Sequence, residues 1–159
     1  MEIQRLTNGE VERFKRIRLD ALRDAPTAYG TRFEDAIRWP DERWAGLLGA
    51  NTVFVAVAAD VDVGLVRTGP DARSHRAARL GSLWVAPHAR GKGVGAALVE
   101  AVVGWVRRQG CTELVLDVSD DNASAIALYA RLGFEPNGDA STFPPPREHL
   151  TKHGRRVRL

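Results

Sequence analysis

The sequence predicts an α/β fold built around a mixed sheet, and three observations carry that prediction. Short β-branched runs alternate with stretches of helical period. A long amphipathic helix lies between two of those runs, the layout of a right-handed βαβ crossover. No internal repeat or low-complexity segment interrupts the chain, whose 159 residues suit a single domain over residues 1–159.

In chain order, residues 2–6 read as a short strand. Asn8 is placed to cap a helix whose apolar face is Val11, Phe14, Ile17, Ala21 and Leu22 and which ends before Pro26. A second helical stretch, about 31–49, breaks at Trp39-Pro40 and carries Phe33, Ile37, Trp44, Leu47 and Leu48 on its apolar side. Thr52–Ala58 and Val61–Thr68 read as a hairpin around Ala59-Asp60. A polar loop, Gly69 to Arg76, precedes a strand over about Ala78–Val85. The helix from about Gly91 to Arg108 places Val94, Ala97, Leu98, Ala101, Val102, Trp105 and Val106 on one face, and Gly110 ends it. Thr112–Val118 is the next strand, and a helix over about 122–131 stops at Gly133. A strand, a rigid loop through Pro144-Pro145-Pro146 and a final strand complete the chain.

Composition excludes several classes. At 44% hydrophobic and 27% charged the chain is ordinary for a globular protein. No apolar run approaches the roughly 18 residues of a membrane helix, and Met1 to Leu6 lacks the layout of a signal peptide. The lone Cys111 rules out an internal disulfide, so a cytoplasmic setting is expected. The net charge of +3 is mild, and the basic cluster His153 to Arg158 has none of the interleaved aromatics that nucleic-acid binding would want. That cluster reads as a solvated terminal strand, and neither a nucleic acid nor a membrane is expected as partner.

The chemistry concentrates in Leu83-Trp84-Val85-Ala86-Pro87-His88-Ala89-Arg90-Gly91-Lys92-Gly93-Val94-Gly95. A strand runs through a short turn into a glycine-rich helix start. The first amides of a helix lack intrahelical partners, and the helix dipole adds partial positive charge there. Glycines at 91, 93 and 95 admit phosphate oxygens to the backbone, and Arg90 and Lys92 add cationic donors. A diphosphate is the expected ligand. A dinucleotide fingerprint would need G-x-G-x-x-G after a first strand, and a P-loop would need Ser or Thr after the lysine; Gly93 follows Lys92 and both readings fail.

The pattern Arg90-x-x-Gly93-x-Gly95, after a strand ending Leu83-x-Val85-x-Pro87, resembles the acetyl-CoA signature of the GNAT superfamily of N-acetyltransferases. A second block, Asn122 through Phe134, resembles that family's N-x-x-A-x-x-L-Y-x-x-x-G-F motif. The resemblance implies a central, mixed but mostly antiparallel twisted sheet of about six to seven strands flanked by about four helices. It further implies acetyl-CoA as co-substrate, no metal, and transfer of the acetyl group to a primary amine. Backbone amides on a bulged, splayed strand around Leu83, Trp84 and Val85 would take the pantetheine and thioester. Arg90, Gly91, Lys92, Gly93, Val94, Gly95 and Ala96 would take the diphosphate. Asn122 either bonds the pantetheine or caps its own helix, Ser124 lies beside it, and Tyr129 is the candidate general acid to the departing thiolate.

The amine must also lose a proton, since an alkyl ammonium titrates at about 10.4. Many family members carry a glutamate or histidine on the strand before the glycine turn, whereas here that strand has Arg79, Ser82 and Trp84. Asp117 and Glu34 are the remaining carboxylate candidates, and His75 and His88 are weaker ones. A water relay without a dedicated base also stays open. Tyr29, Phe33 and Phe143 are placed to wall an acceptor pocket, with Glu34, Asp35 or Asp139 attracting a cationic amine. The acceptor, whether small amine, amino-acid derivative, antibiotic or peptide N-terminus, is left open. So is the state, monomer or homodimer. The rival reading is a non-catalytic acyl-CoA-binding sensor.

Overall fold

The structure is a computed structural model describing residues 1–159. Its strands are β1 (Glu2–Arg5), β2 (Thr52–Ala58), β3 (Val61–Asp71), β4 (Ser74–Val85), β5 (Glu113–Ser119), β6 (Glu135–Thr142) and β7 (Thr151–Arg158). Its helices are α1 (Val11–Asp24), the single turn α2 (Phe33–Ala36), α3 (Asp41–Ala50), α4 (Val94–Arg108) and α5 (Ala123–Arg131). The strands form one seven-stranded sheet in the order β1-β2-β3-β4-β5-β7-β6. Every pairing is antiparallel except β4–β5, the pair that α4 connects. No helix is long and apolar enough to cross a membrane.

Period-2 alternation sorts the two faces. A Cβ on Gly64 would meet Val94 and Leu98 of α4, so Leu65 and Arg67 of β3 face the other side, where α1 and α3 pack. Phe14 of α1 meets Trp44 of α3 edge-on at 5.7 Å, anchoring that layer. Thirty-two buried apolar residues form one continuous cluster that runs through both layers.

Several local expectations are corrected. Asn8 does not cap α1; Glu10 holds the N-cap position, and its carboxylate accepts the Thr7 amide at 2.7 Å. The segment 69–76 is not a loop. β3 and β4 continue pairing through Pro70 and Ala78, and the hairpin turns only at Ala72-Arg73, so His75 sits exposed at its tip. Helix α4 starts at Val94 rather than Gly91, after a 3-10 turn at Pro87–Ala89. The C-terminal strand β7 is inserted between β5 and β6, with Gly154 buried and its other residues exposed or half-exposed, as expected of a solvated strand.

One irregularity positions the site. Leu65 pairs with Trp84 and Arg67 with Gly81, so β4 holds one residue more than β3 across this stretch. Ser82, at a φ of +59°, absorbs it as a bulge. The parallel pairing of β4 with β5 covers only Ala77–Arg79 against Glu113–Val115. Beyond Arg79, β4 follows β3 while β5 follows β7, and the sheet parts between them.

Candidate functional site

Two clefts occupy the parting of the sheet, and they share Ala28 and Tyr29 as a common wall. The first, about 640 Å³, runs along Leu83, Trp84 and Val85 to the start of α4 at Arg90, Gly91, Gly93, Val94, Gly95 and Ala96. Asn122, Ser124, Ala125 and Leu128 of α5 close its far side. The second, about 440 Å³, lies under the loop after α1 and is lined by the bulged part of β4, by Asp117 and Ser119 of β5, and by Phe143 and Pro144.

The glycine turn has the form that the sequence suggests. Gly91 and Gly93 hold φ of +74° and +80°, conformations that cost an L-residue roughly 1–2 kcal/mol. Gly93 is the N-cap of α4, no side chain caps the helix, and a Cβ at Gly91 or Gly93 would point into open space. Gly95 is tight for a different reason: a Cβ there would come 3.0 Å from Leu128 of α5, which would have to shift to admit it. The turn is therefore a bare set of amides at a helix N-terminus, with the chemistry of an anion site.

Arg90 and Lys92 differ in placement. The Arg90 guanidinium turns back, donating to the Val85 carbonyl at 3.0 Å and pairing with Asp24. Asp24 also accepts the indole N–H of Trp84 at 2.9 Å, so these three residues tie the end of α1 to β4 and the phosphate turn. Lys92 is exposed beside the turn. The Asn122 side chain accepts the Ala125 amide at 3.2 Å and caps α5, with Ser124 bonded to it.

Tyr129 is 5% exposed, its ring edge-on to Phe134 at 5.5 Å. Burial, and then the nearby Tyr29, push its phenol well above the usual tyrosine range. Burial likewise raises Tyr29, whose hydroxyl donates to the Leu83 carbonyl at 2.8 Å. Both phenols hold their protons at neutral pH; Tyr29 donates to Leu83, whereas the Tyr129 hydroxyl makes no hydrogen bond and Tyr129 lines neither cleft.

The carboxylate candidates separate. Asp117 lines the second cleft and is its one acid, with Arg79 at 3.2 Å and Lys152 at 3.9 Å from its Oδ2. Glu34 stands on α2 outside both clefts, exposed and 3.5 Å from Arg32. Asp35 and Asp139 also lie outside them, and Asp139 pairs with Arg73 at 2.7 Å. Of the aromatic walls, Tyr29 and Phe143 line the second cleft, whereas Phe33 packs under the Arg23 guanidinium instead.

Four arginines at this site escape a sequence reading. Arg18, Arg67 and Arg79 line the second cleft. Arg147 holds its roof, donating to the carbonyls of Pro26, Tyr29 and Gly30 at 2.6, 3.1 and 2.8 Å. Only Arg18 left a signal: it falls between Phe14 and Leu22 on the i, i+4 row of an otherwise apolar face.

Comparison with known proteins completes the description. The model of the acetyltransferase (GNAT) family matches residues 14–134. Streptothricin acetyltransferase of Streptomyces lavendulae is 39% identical over 82 residues, covering 51% of this chain and 43% of that protein. Aminoglycoside N(6')-acetyltransferase type 1 of Klebsiella aerogenes is 31% identical over 100 residues, covering 59% of this chain and 66% of that one. The chain thus spans less than half of the first relative and about two thirds of the second. Among solved structures, yncA of Salmonella typhimurium, with its cofactor acetyl-CoA, superposes with a TM-score of 0.78 at 18% identity, over 100% of this chain and 94% of that one.

Proposed function

The chain belongs to the acetyltransferase (GNAT) family, and on that premise we propose that it transfers an acetyl group from acetyl-CoA to a primary amine within a ternary complex. The observation that carries the proposal is the bare glycine cradle at the start of α4, opening into a cleft along the parted edge of β4. That form fits a diphosphate followed by an extended pantetheine arm. Acetyl-CoA, when bound, supplies the acetyl thioester.

The amides of Gly91 to Ala96 hold the diphosphate, with Lys92 adding charge from the rim. Arg90 acts chiefly by fixing the turn against β4 and Asp24. The amides of β4 around Leu83 to Val85, released from β5 by the bulge, receive the arm and polarise the reacting carbonyl. Asn122 keeps the start of α5 in place beside them.

The amine enters from the second cleft, where Asp117 takes the ammonium proton and passes it to solvent. Tyr129 donates its O–H toward the departing sulfur and recovers a proton from the amine nitrogen. In balance, one N–H proton ends on the thiol.

A calorimetric titration with acetyl-CoA, with NAD as control, tests the reading before any acceptor is known. Saturable binding of acetyl-CoA and none of NAD is expected, followed by thiol release on adding amines. Equal affinity for both, or none for either, overturns the assignment.

A further inference from the structure

We infer that the acceptor is an anion as well as an amine: a small amino acid whose carboxylate docks between Arg18 and Arg67 in the second cleft. The inference rests on the acetyl-transfer reading and names its acceptor class.

Four cations, Arg18, Arg67, Arg79 and Lys152, line this cleft against the single carboxylate of Asp117. Arg79 is matched, lying 3.2 Å from both Asp71 and Asp117, and Lys152 shares Asp117. Arg18 and Arg67 have no acid partner. Arg67 donates only to neutral oxygens, Ser82 Oγ at 2.9 Å and Asn51 Oδ1 at 3.3 Å. Arg18 is 9% exposed, and its buried Nη1 has no hydrogen-bond partner at all. Its guanidinium stacks on the Tyr29 ring at 4.4 Å.

A buried cation without an acceptor is costly, and a bidentate carboxylate is the group that relieves it best. Burial, and the charge of Arg67 opposite, press the Arg18 guanidinium down to about 10, still a cation at neutral pH. Burial and Arg79 act on Arg67 in the same direction. The cluster repels itself until an anion enters.

Tyr29 sets the spacing. Its ring stacks on Arg18 while its hydroxyl reaches the Leu83 carbonyl, on the strand that receives the acetyl donor. Anion site and transfer site are thus one tyrosine side chain apart, which suits an amino acid and is too short for a peptide bearing its carboxylate at the far end. Polycationic amines would meet like charge. Leu80, Phe143 and Pro144 leave an apolar surface for a side chain.

The test measures acetyl-CoA-dependent thiol release with free amino acids, their primary amides, and a polyamine, beside calorimetry of N-acetyl amino acids against the CoA-loaded protein. The expected result is turnover of at least one amino acid, a kcat/KM lower by roughly a hundredfold or more for its amide, and saturable product binding. Arg18→Met should weaken the amino acid by a similar factor while leaving acetyl-CoA affinity unchanged, and Arg67→Gln gives a second route should the first variant fold poorly. Transfer to amides or polyamines as fast as to acids overturns the anion site yet leaves the acetyltransferase standing. So does absence of product binding by a protein that still binds acetyl-CoA. Failure to bind acetyl-CoA removes both.

Discussion

Replacing Arg18 by methionine should make the ligand-free protein more stable. Methionine keeps the unbranched apolar stem on α1 and removes the charge. Burial presses the Arg18 guanidinium down to about 10, well below its ordinary value, which corresponds to a cost on the order of 3 kcal/mol. Stacking on Tyr29, lost in the variant, offsets about 1–2 kcal/mol of it. The net gain is about 1–2 kcal/mol, which for a domain of this size raises Tm by about 3–6 °C. The sign follows from linkage. A base whose folded pKa is depressed is protonated more readily when unfolded, so its cost is present at every pH below about 10 and is relieved only as pH rises beyond it. Scanning calorimetry without ligand should therefore give the same Tm difference across the neutral range. A variant less stable than the parent there would refute the view that this arginine is a buried charge awaiting a counter-ion.

Four further outcomes are expected. Tyr129→Phe should lower kcat about tenfold or more while leaving acetyl-CoA affinity unchanged, and equal turnover in a steady-state assay would remove Tyr129 from the chemistry. Asp117→Asn keeps a partner for Arg79 but not the base, so kcat/KM should fall about a hundredfold at neutral pH; an unaltered pH–rate profile would point to a water relay instead. Gly93→Ala must hold a φ of +80°, costing about 1–2 kcal/mol, and should weaken acetyl-CoA binding as the cradle shifts, which titration would read. Gly64→Ala would press its Cβ to 2.9 Å from the Trp84 carbonyl, and urea unfolding should show a loss of about 1–3 kcal/mol.

What could be read from the chain follows the range of the interactions. The body and C-terminal end of α4, the β2–β3 hairpin with its two-residue turn, and the capped start of α5 depend on neighbours a few residues away and lie where local pattern puts them, while α4 itself begins three residues after Gly91. The extension of β3 and β4 through residues 69–76 was not legible, because Gly69, Pro70 and Asp71 read as a turn until the partner strand continues the ladder. The second cleft was hidden for the same reason. Arg18, Arg67 and Arg79 come from three elements, and only the folded sheet turns them toward one space. Glu34, Asp35 and Asp139, the acids expected to greet a cationic amine, lie elsewhere, and the charge lining the second cleft is mostly of the opposite sign.

The strand order carries a consequence for the nascent chain. β7 is synthesised after both β5 and β6, yet it separates them, and all three belong to one sheet. Until residues 151–158 leave the ribosome, both β5 and β6 present open ladders to any passing strand. Asp117, on β5, pairs with Gly154, on β7. A stop codon anywhere before β7 should thus yield a sticky, aggregating product rather than a sluggish enzyme.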